Sequence, residues 1–275
     1  MIRVEEPLIF MRADLRAQAL DLNALTAVFY DRVSASFSAT RSRPWQGWER
    51  LWELVGDELQ AHDPVRVLDV GCGNLRFARF LADRVPGTVE AYGIDACEPL
   101  LAEGMRACEA MRTARLQVRA IRRDVAKSLL DGEDFRRDAP SCSLAVAFGF
   151  MHHLPTAEQR WALLDRMVDA VAPGGLVAAS FWRFADDERL RAKAEEVTAR
   201  AQERGAVGAL GPGDYVLGWQ EDEGALRYCH HLAEEEMDEL SAHVAGTAKE
   251  IARFSADGKS GVLNRYGLWR RHDRS

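Results

Sequence analysis

The sequence is poor in the features that mark membrane, extracellular and metal-binding proteins. Its five cysteines contain no CxxC pair, so neither a disulfide framework nor a metal site is expected. No apolar run reaches the ~18 residues that span a bilayer. The N-terminus lacks a signal peptide's order of basic, apolar and small residues. We therefore expect a cytoplasmic protein with reduced thiols and no membrane contact.

Positive charge is not in excess either. The chain carries 36 Lys and Arg against 43 Asp and Glu, a net charge of -7. A protein that binds nucleic acid with its whole surface would be basic, so any RNA contact must use local patches. Arginines cluster without acids in 32–43 and 112–123, whereas 221–223 and 234–239 are acidic. Further arginines near the C-terminus are Arg265, Arg270, Arg271 and Arg274.

Alternating strand and helix patterns begin at Val65. The runs VRVLDV, TVEAYGID, LQVRAIRRD, SLAVAFGF and GLVAASFW predict five strands, and the intervening helices are expected at 75–86, 98–112 and 156–172. Such alternation predicts an α/β fold whose parallel sheet carries helices on both faces. The Asp-Gly of ADGKSG predicts a closing C-terminal hairpin.

Two further segments flank this sheet. Helices are expected at 13–36 and from Pro44 onward, where Trp45, Trp48 and Trp52 form an apolar stripe that suits a core better than a base-stacking platform. Between the fifth strand and the hairpin, helices are expected at 186–204 and 232–244 with an irregular stretch between them. We predict one domain over 1–275: a helical cover at 1–62, a cofactor core at 63–182, a cap insertion at 183–245 and the hairpin at 246–275.

The turn DVGCGN has two glycines where a dinucleotide-binding fingerprint has three. Gly71 and Gly73 let the backbone approach a ligand, but Leu75 stands where the third glycine would allow tight packing beneath a pyrophosphate. The N–H groups at the following helix start favour a carboxylate or a phosphate. S-adenosylmethionine places its methionine part there, and we predict it as the cofactor. A nicotinamide oxidoreductase is the alternative.

Acidic residues end three successive strands. Asp69 can lie near the ammonium and sulfonium of S-adenosylmethionine, Asp95 can accept both ribose hydroxyls, and Asp124 can accept the adenine amine. Each acid alone could be a helix cap or a loop residue. Together they stand where open α/β sheets bind ligands, which favours the methyl donor.

The motifs VLDVGCGN, GID, RRDV and AFGFMHHL resemble those of class I S-adenosylmethionine-dependent methyltransferases. The resemblance implies a Rossmann-like, seven-stranded, mostly parallel sheet whose last strand is antiparallel, with Leu75 a departure from the family's usual glycine. The cofactor-binding residues that we predict are Tyr30, Arg41, Asp69, Gly71, Cys72, Gly73, Asn74, Asp95, Ala96, Asp124, Val125, Phe148 and Gly149.

Motifs outside the sheet, among them FYDRVSASFSATRSRPWQGW, GDYVLGW, RYCHHLAEEEMDEL and LNRYGLW, resemble the tRNA wobble-uridine carboxymethyl methyltransferases of eukaryotes. That family includes the methyltransferase part of the AlkB-type tRNA hydroxylase fusion. The resemblance implies in-line methyl esterification of a carboxymethyl group on tRNA, and a small activator subunit as a partner. The matching positions are Tyr30, Asp31, Ser38, Thr40, Arg41, Pro44, Trp45, His152, His153, Arg227, Tyr228 and His230.

A carboxylate acceptor needs orientation rather than a base, because it is already ionised at neutral pH. We expect Arg41 to hold the acid and His152 to face the transferred methyl, although a double histidine there also suits a lid over the cofactor. The predicted substrate-binding residues are Trp45, His153, Trp182, Arg227, Tyr228, His230 and Arg265.

Two other functions remain open at this point. One is methylation of a small acidic metabolite or another acceptor, and an arginine-rich face would favour tRNA over it. The other is a non-catalytic module that only binds S-adenosylmethionine, which Leu75 motivates.

Overall fold

A seven-stranded sheet lies at the centre of the computed structural model, which describes residues 13–41, 43–111, 115–134, 137 and 139–273. The strands are β1 Val65–Val70, β2 Val89–Asp95, β3 Leu116–Arg122, β4 Cys142–Ala147, β5 Val171–Trp182, β6 Asp214–Trp219, β7 Asp222–His230, β8 Ala248–Ala256 and β9 Asn264–Arg271. The sheet order is β3-β2-β1-β4-β5-β9-β8, and β9 alone runs antiparallel to its neighbours. The predicted Rossmann-like fold is confirmed.

Helices cover both faces of this sheet. They are α1 Ala13–Ala39, α2 Gln46–Gln60, α3 Arg76–Ala82, α4 Glu98–Ala110, α5 Val125–Leu130, α6 Ala157–Ala170, α7 Glu188–Glu203 and α8 Glu234–His243. No helix in the described ranges is long and apolar enough to cross a membrane. The division into cover, core, cap and hairpin stays a prediction, and residues 1–12 of the expected cover lie outside the described part of the chain.

Side chains alternate along each strand, so the two faces of the sheet pack into two separate cores. Leu68 packs with α6 and α8 on one face, whereas Val67 packs with α2 and α3 on the other. Trp48 is buried in the second core, and Trp45 and Trp52 pack against it. The tryptophan stripe is therefore a core stripe, as its spacing predicts.

Two segments differ from what the sequence pattern predicts. Strand β5 begins at Val171 and runs through Pro-Gly-Gly, because a bulge shifts the register between Cys142↔Val171 and Leu144↔Leu176. The stretch expected to be irregular holds β6, which pairs with β7 in a two-stranded hairpin. This hairpin depends on tertiary contacts, since Val216 packs against α7.

Helix α1 and the β6–β7 hairpin form one unit, called here the α1–hairpin cover. Arg32 forms a two-pronged ion pair with Asp222, with distances of 2.6 and 2.8 Å. The Trp219 indole donates to the Ser36 hydroxyl at 2.9 Å, and Phe29 packs against Ala225 of β7. Helix α1 and the β6–β7 hairpin therefore cover the site described below as one unit.

Candidate active site

A cavity of about 670 Å³ lies at the carboxyl ends of β1, β2 and β4, beneath the α1–hairpin cover. All the predicted cofactor-binding residues line it, as do His152, Trp45, His153, Trp182 and Arg227. Lining residues that were not predicted as site residues include Asn23, Phe37, Arg76, Trp219, Asp257 and Asn264. Phe37, Trp219 and Asn264 lie inside the quoted motifs, whereas Asn23 and Arg76 lie in none of them.

The glycine-rich loop explains how Leu75 is tolerated. Leu75 adopts a left-handed conformation with φ of 57° and is completely buried, at a cost of roughly 1 kcal/mol. A Cβ on Gly93 of β2 would lie 2.4 Å from Leu75 Cδ2, so the neighbouring strand provides the space that a third glycine would have left. Gly71 has φ of 70°, and a Cβ there would lie 2.6 Å from the Phe150 ring. The absence of a side chain at Gly71 therefore makes room for Phe150 as well as for a ligand.

Two of the predicted acids combine structural and ligand-facing roles. Asp95 accepts hydrogen bonds from the N–H groups of Gly73 and Cys97, both at 2.8 Å, and so joins the loop to the start of α4. Asp124 caps α5 by accepting from the Lys127 N–H at 2.9 Å. A carboxylate has further lone pairs, so both remain able to accept from a ligand hydroxyl or amine.

Asp69 differs from the other two predicted acids because it accepts no hydrogen bond from the described chain. It is 3 % exposed, and no donor among the described residues hydrogen-bonds to it. Burial and the nearby Asp95 raise the pKa of Asp69 to about 7. A buried carboxyl in this state suits a cationic ligand, whose charge would favour the ionised form. The loop and the acids therefore fit S-adenosylmethionine, with Asp69 toward its positive groups.

Tyr30, His153 and Arg227 form a hydrogen-bonded chain on the wall opposite the loop. His153 Nδ1 lies 2.9 Å from the Tyr228 carbonyl, which can only accept, so this nitrogen carries the proton. His153 Nε2 then accepts from the Tyr30 hydroxyl at 2.8 Å, and Arg227 donates to the same hydroxyl at 3.3 Å. Burial and Arg227 lower the pKa of His153 to about 3, so the ring is neutral.

Several buried polar atoms along the cavity lack hydrogen-bond partners within the described residues. They are both amide atoms of Asn23, the Nδ1 of His152 and the Nε of Arg227. Burial, then His153 and Arg227, hold the pKa of His152 well below its usual value, so this ring is neutral too. Unpaired buried polar atoms are costly and uncommon in proteins, so their clustering beside a cavity indicates a ligand surface.

Two guanidinium groups face this surface without a carboxylate partner in the described chain. Arg41 donates to the Phe37 carbonyl and the Thr40 hydroxyl, and its Cζ lies 3.3 Å from the centre of the Phe37 ring. Burial lowers the pKa of Arg41 to about 10, and repulsion by Arg227 and Arg76 adds to this. Both groups stay charged at neutral pH. Arg227 also lies 5.3 Å from the Trp182 ring.

Arg76 binds the cover segment to the cofactor loop. Its Nη1 donates to the Arg41 carbonyl at 2.7 Å and to the Arg43 carbonyl at 3.3 Å. Asn74 donates to the Ser38 hydroxyl at 2.7 Å, and Ser38 in turn donates to Glu103. The end of α1 is thereby joined to the residues that begin α3.

Three predicted substrate-binding residues do not line the cavity. Tyr228 is fully buried, and its hydroxyl donates to Asp214. His230 lies between Asp214 at 2.7 Å and Glu236 at 2.9 Å, hydrogen bonds that raise its pKa against the effect of burial. Arg265 pairs with Glu234 at 2.9 Å. Tyr228 and His230 thus hold the β6–β7 hairpin, and Arg265 holds β9 against α8, while their role in substrate binding stays a prediction.

The arginine patches are neutralised by acids in part. Arg112 and Arg274 lie outside the described residues. Pairs with carboxylates form at Arg32–Asp222, Arg122–Glu98, Arg123–Glu133, Arg265–Glu234, Arg270–Glu58 and Arg271–Asp169. Paired arginines offer less to RNA phosphates than the clusters in the sequence indicate.

One group of side chains has metal-ligating chemistry. Ligand atoms of His152, His153 and Cys229 lie within 4.8 Å of one another. His153 already uses both nitrogens, burial raises the pKa of Cys229 to about 12, and the cationic Arg227 is adjacent. A metal ligand must be deprotonated and a cation would repel the metal, so these residues fit a metal poorly.

Comparison with known proteins agrees with this fold. Residues 67–175 match the family described as "Methyltransferase domain". The chain is 28% identical over 210 residues to a trans-aconitate 2-methyltransferase of Pseudomonas paraeruginosa, covering 76% of this chain and 61% of that protein. It is 26% identical over 181 residues to the tRNA (carboxymethyluridine(34)-5-O)-methyltransferase ALKBH8 of Macaca fascicularis, covering 66% of this chain and 23% of that protein.

A solved structure shares the architecture. The S-adenosylmethionine-dependent methyltransferase from Methanosarcina mazei superposes with a TM-score of 0.58 at 14% identity, covering 80% of this chain and 98% of that one. Residues 67–175 thus match a methyltransferase domain, the described chain has the Rossmann-like fold of methyltransferases, and S-adenosylmethionine is the cofactor. The chain spans 61% and 23% of the two curated relatives, so neither defines its acceptor.

Proposed function

We propose that the protein transfers the methyl group of S-adenosylmethionine to a carboxylate oxygen and so forms a methyl ester. Arg41 and Arg227 carry this proposal, because both line the cofactor cavity and neither has a carboxylate partner in the described chain. A carboxylate acceptor would supply negative charge to these two guanidinium groups. The acceptors in both relatives' names, trans-aconitate and carboxymethyluridine, also carry a carboxylate.

The chemistry requires little from the protein beyond positioning. The cofactor supplies a methyl group on a positively charged sulfur. The chain's residues bind the carboxylate, align it and exclude water. His152 and His153 are neutral in the structure, so they add no charge. His152, with its free Nδ1, would orient the acceptor by hydrogen bonding, and its catalytic role stays a prediction.

Between the acceptors considered, a small acid is favoured over tRNA. The cavity of about 670 Å³ beneath the α1–hairpin cover has the size of a small-molecule site, and six of the arginines expected to meet phosphates pair with acids. The tRNA candidate is supported by Phe37 and Trp219, whose rings could stack on a base with Arg41 beside them. An activator subunit and a cytoplasmic location belong to that candidate as further proposals.

Tritiated-methyl S-adenosylmethionine tests the proposed reaction. The purified protein is offered a small-molecule extract and, separately, bulk tRNA from a strain lacking the gene. We expect base-labile label, which marks an ester, in the small-molecule fraction. Base-labile label confined to tRNA would instead establish the second candidate.

Two variants give this experiment its control. Arg41→Gln should lose most of the labelling, whereas Arg43→Gln should keep it, because Arg43 is exposed and does not line the cavity. Base-stable label would show another acceptor atom and end the carboxylate proposal. Cofactor binding without any label would point to the non-catalytic module.

A further inference from the structure

We infer that the acceptor carries at least two anionic groups, one that receives the methyl group and one that stays charged and anchors the molecule. This inference rests on the proposed carboxyl methylation and names the class of its substrate. It follows from a count of the charges around the cavity before and after transfer.

Before transfer, the acceptor side of the cavity is rich in positive charge. Arg41 and Arg227 each contribute one cation there, whereas Arg76 and the cofactor's positive groups lie on the side of Asp69. The nearest wall groups, His152, His153 and Tyr30, are neutral. A monocarboxylate would balance only one of these charges.

Methyl transfer removes one negative charge, that of the carboxylate, and one positive charge, that of the sulfonium. The carboxylate oxygen forms a bond to the methyl carbon as the carbon–sulfur bond breaks, and the electron pair of that bond goes to sulfur. No proton moves, and the products are a neutral ester and the neutral thioether of S-adenosylhomocysteine. After transfer to a monocarboxylate, both guanidinium groups would be left without an anion in a buried site, a costly state. A second anionic group keeps one of them paired throughout the reaction.

The placement of the two cations separates the roles of the two anions. Arg227, on β7, lies with Tyr30 and Trp182, and His152 follows β4 beside them. Arg41, just after α1, lies with Phe37 and Trp219. The two guanidinium groups come from different elements and repel each other, which suits a molecule whose anionic groups are separated by a short carbon chain. Asn23 adds an unpaired donor and acceptor on α1 for the polar atoms between them.

The charge of the labelled product tests this inference while the acceptor itself is still unidentified. Small-molecule products from the extract reaction are applied to an anion-exchange column at pH 7. The ester of a dianion remains an anion and should be retained, whereas the ester of a monoanion is neutral and flows through. Base treatment before the column should release the label from the retained species.

The outcomes separate the two proposals. Base-labile label in the flow-through would overturn the dianion while leaving carboxyl methylation intact. No base-labile label in any fraction would overturn the proposed function itself. Base-labile label on tRNA alone would retain carboxyl methylation and overturn a small dianionic acceptor.

A matched pair of acids sharpens the result. Glutarate and pentanoate have equal chain length but different charge, and trans-aconitate adds a third carboxylate. At least tenfold higher kcat/KM is expected for the best polyanion than for pentanoate, and Arg41→Gln should reduce that ratio to near one. Thermal unfolding checks that Arg41→Gln keeps its fold. Calorimetry with S-adenosylhomocysteine then separates anchoring of the acceptor, which leaves that affinity unchanged, from the cofactor-binding role that the sequence predicts for Arg41. The anchoring role of Arg41 would be refuted if the ratio of kcat/KM for the polyanion to kcat/KM for pentanoate were the same in Arg41→Gln as in the parent.

Discussion

The two halves of the cavity are built in opposite ways. The cofactor half consists of backbone N–H groups and carboxylates on strand ends, and Asp95 and Asp124 are already hydrogen-bonded to the chain. The acceptor half lies on α1, β7 and the loop after β4, where Asn23, His152 and Arg227 keep unpaired polar atoms. In the first half only Asp69 of the three predicted acids lacks a hydrogen-bond donor in the described chain, whereas the second half holds two guanidinium groups without a carboxylate partner there. Specificity for the acceptor therefore resides in the groups that the fold leaves unpaired.

The largest effect is expected from removing a cation of the acceptor half. Arg227→Met should lower kcat/KM by roughly 10²- to 10³-fold, because a buried charge that pairs with the acceptor is lost. Affinity for S-adenosylhomocysteine should stay within about twofold. The control is Arg204→Met, an exposed arginine paired with Glu223 on the surface. Equal losses of kcat/KM and of S-adenosylhomocysteine affinity would place Arg227 in the cofactor half instead.

The packing of the cofactor half can be broken at Gly93. Gly93→Ala would place a Cβ 2.4 Å from Leu75 Cδ2 and should reduce the free energy of unfolding by about 1–3 kcal/mol. The double variant Gly93→Ala/Leu75→Ala should lose less than the sum of the two single variants, because the contact with Leu75 is removed and only Cys72 Sγ, at 2.8 Å, still crowds the new Cβ. Denaturant unfolding of both single variants, the double variant and the parent measures this. Additive losses would show that the two residues do not share this space.

The pH dependence of cofactor binding probes Asp69. Its raised pKa of about 7 means that the carboxyl is mainly neutral below pH 7, so a cationic ligand must bind the ionised fraction. Affinity for S-adenosylmethionine should fall about tenfold from pH 8 to pH 6. Asp69→Asn should bind weakly at both pH values, and isothermal titration at each pH measures this. A wild-type affinity that is level across this range would contradict the assigned role.

The smallest expected effect comes from Asn23. Asn23→Leu replaces an unpaired buried amide by an apolar group of similar size, so stability should rise by about 1 kcal/mol. Turnover of the acceptor should fall a few-fold, because the donor and acceptor atoms are lost. Thermal unfolding and steady-state kinetics give the two numbers. A gain in stability with unchanged kinetics would assign Asn23 no part in acceptor binding.

The sequence predicted the two halves unequally, for a physical reason. The cofactor residues lie mainly at strand ends and in one loop, where local pattern and spacing determine position, and all of them line the cavity. The acceptor residues come from distant segments, so their positions depend on tertiary packing. Tyr228, His230 and Arg265 share motifs with the site but do not line the cavity, because their side chains pair with Asp214, Glu236 and Glu234. Arg76 lines the cavity without belonging to any motif.

The bonds at the end of α1 have a consequence for cooperativity. Ser38 and Asn74, together with Arg76 and the carbonyls of Arg41 and Arg43, connect the helix of the acceptor half to the loop of the cofactor half. Ordering the loop around one ligand thus also orders the wall that receives the other. Such coupling acts equally in both directions. The factor by which the cofactor strengthens acceptor binding must therefore equal the factor by which the acceptor strengthens cofactor binding.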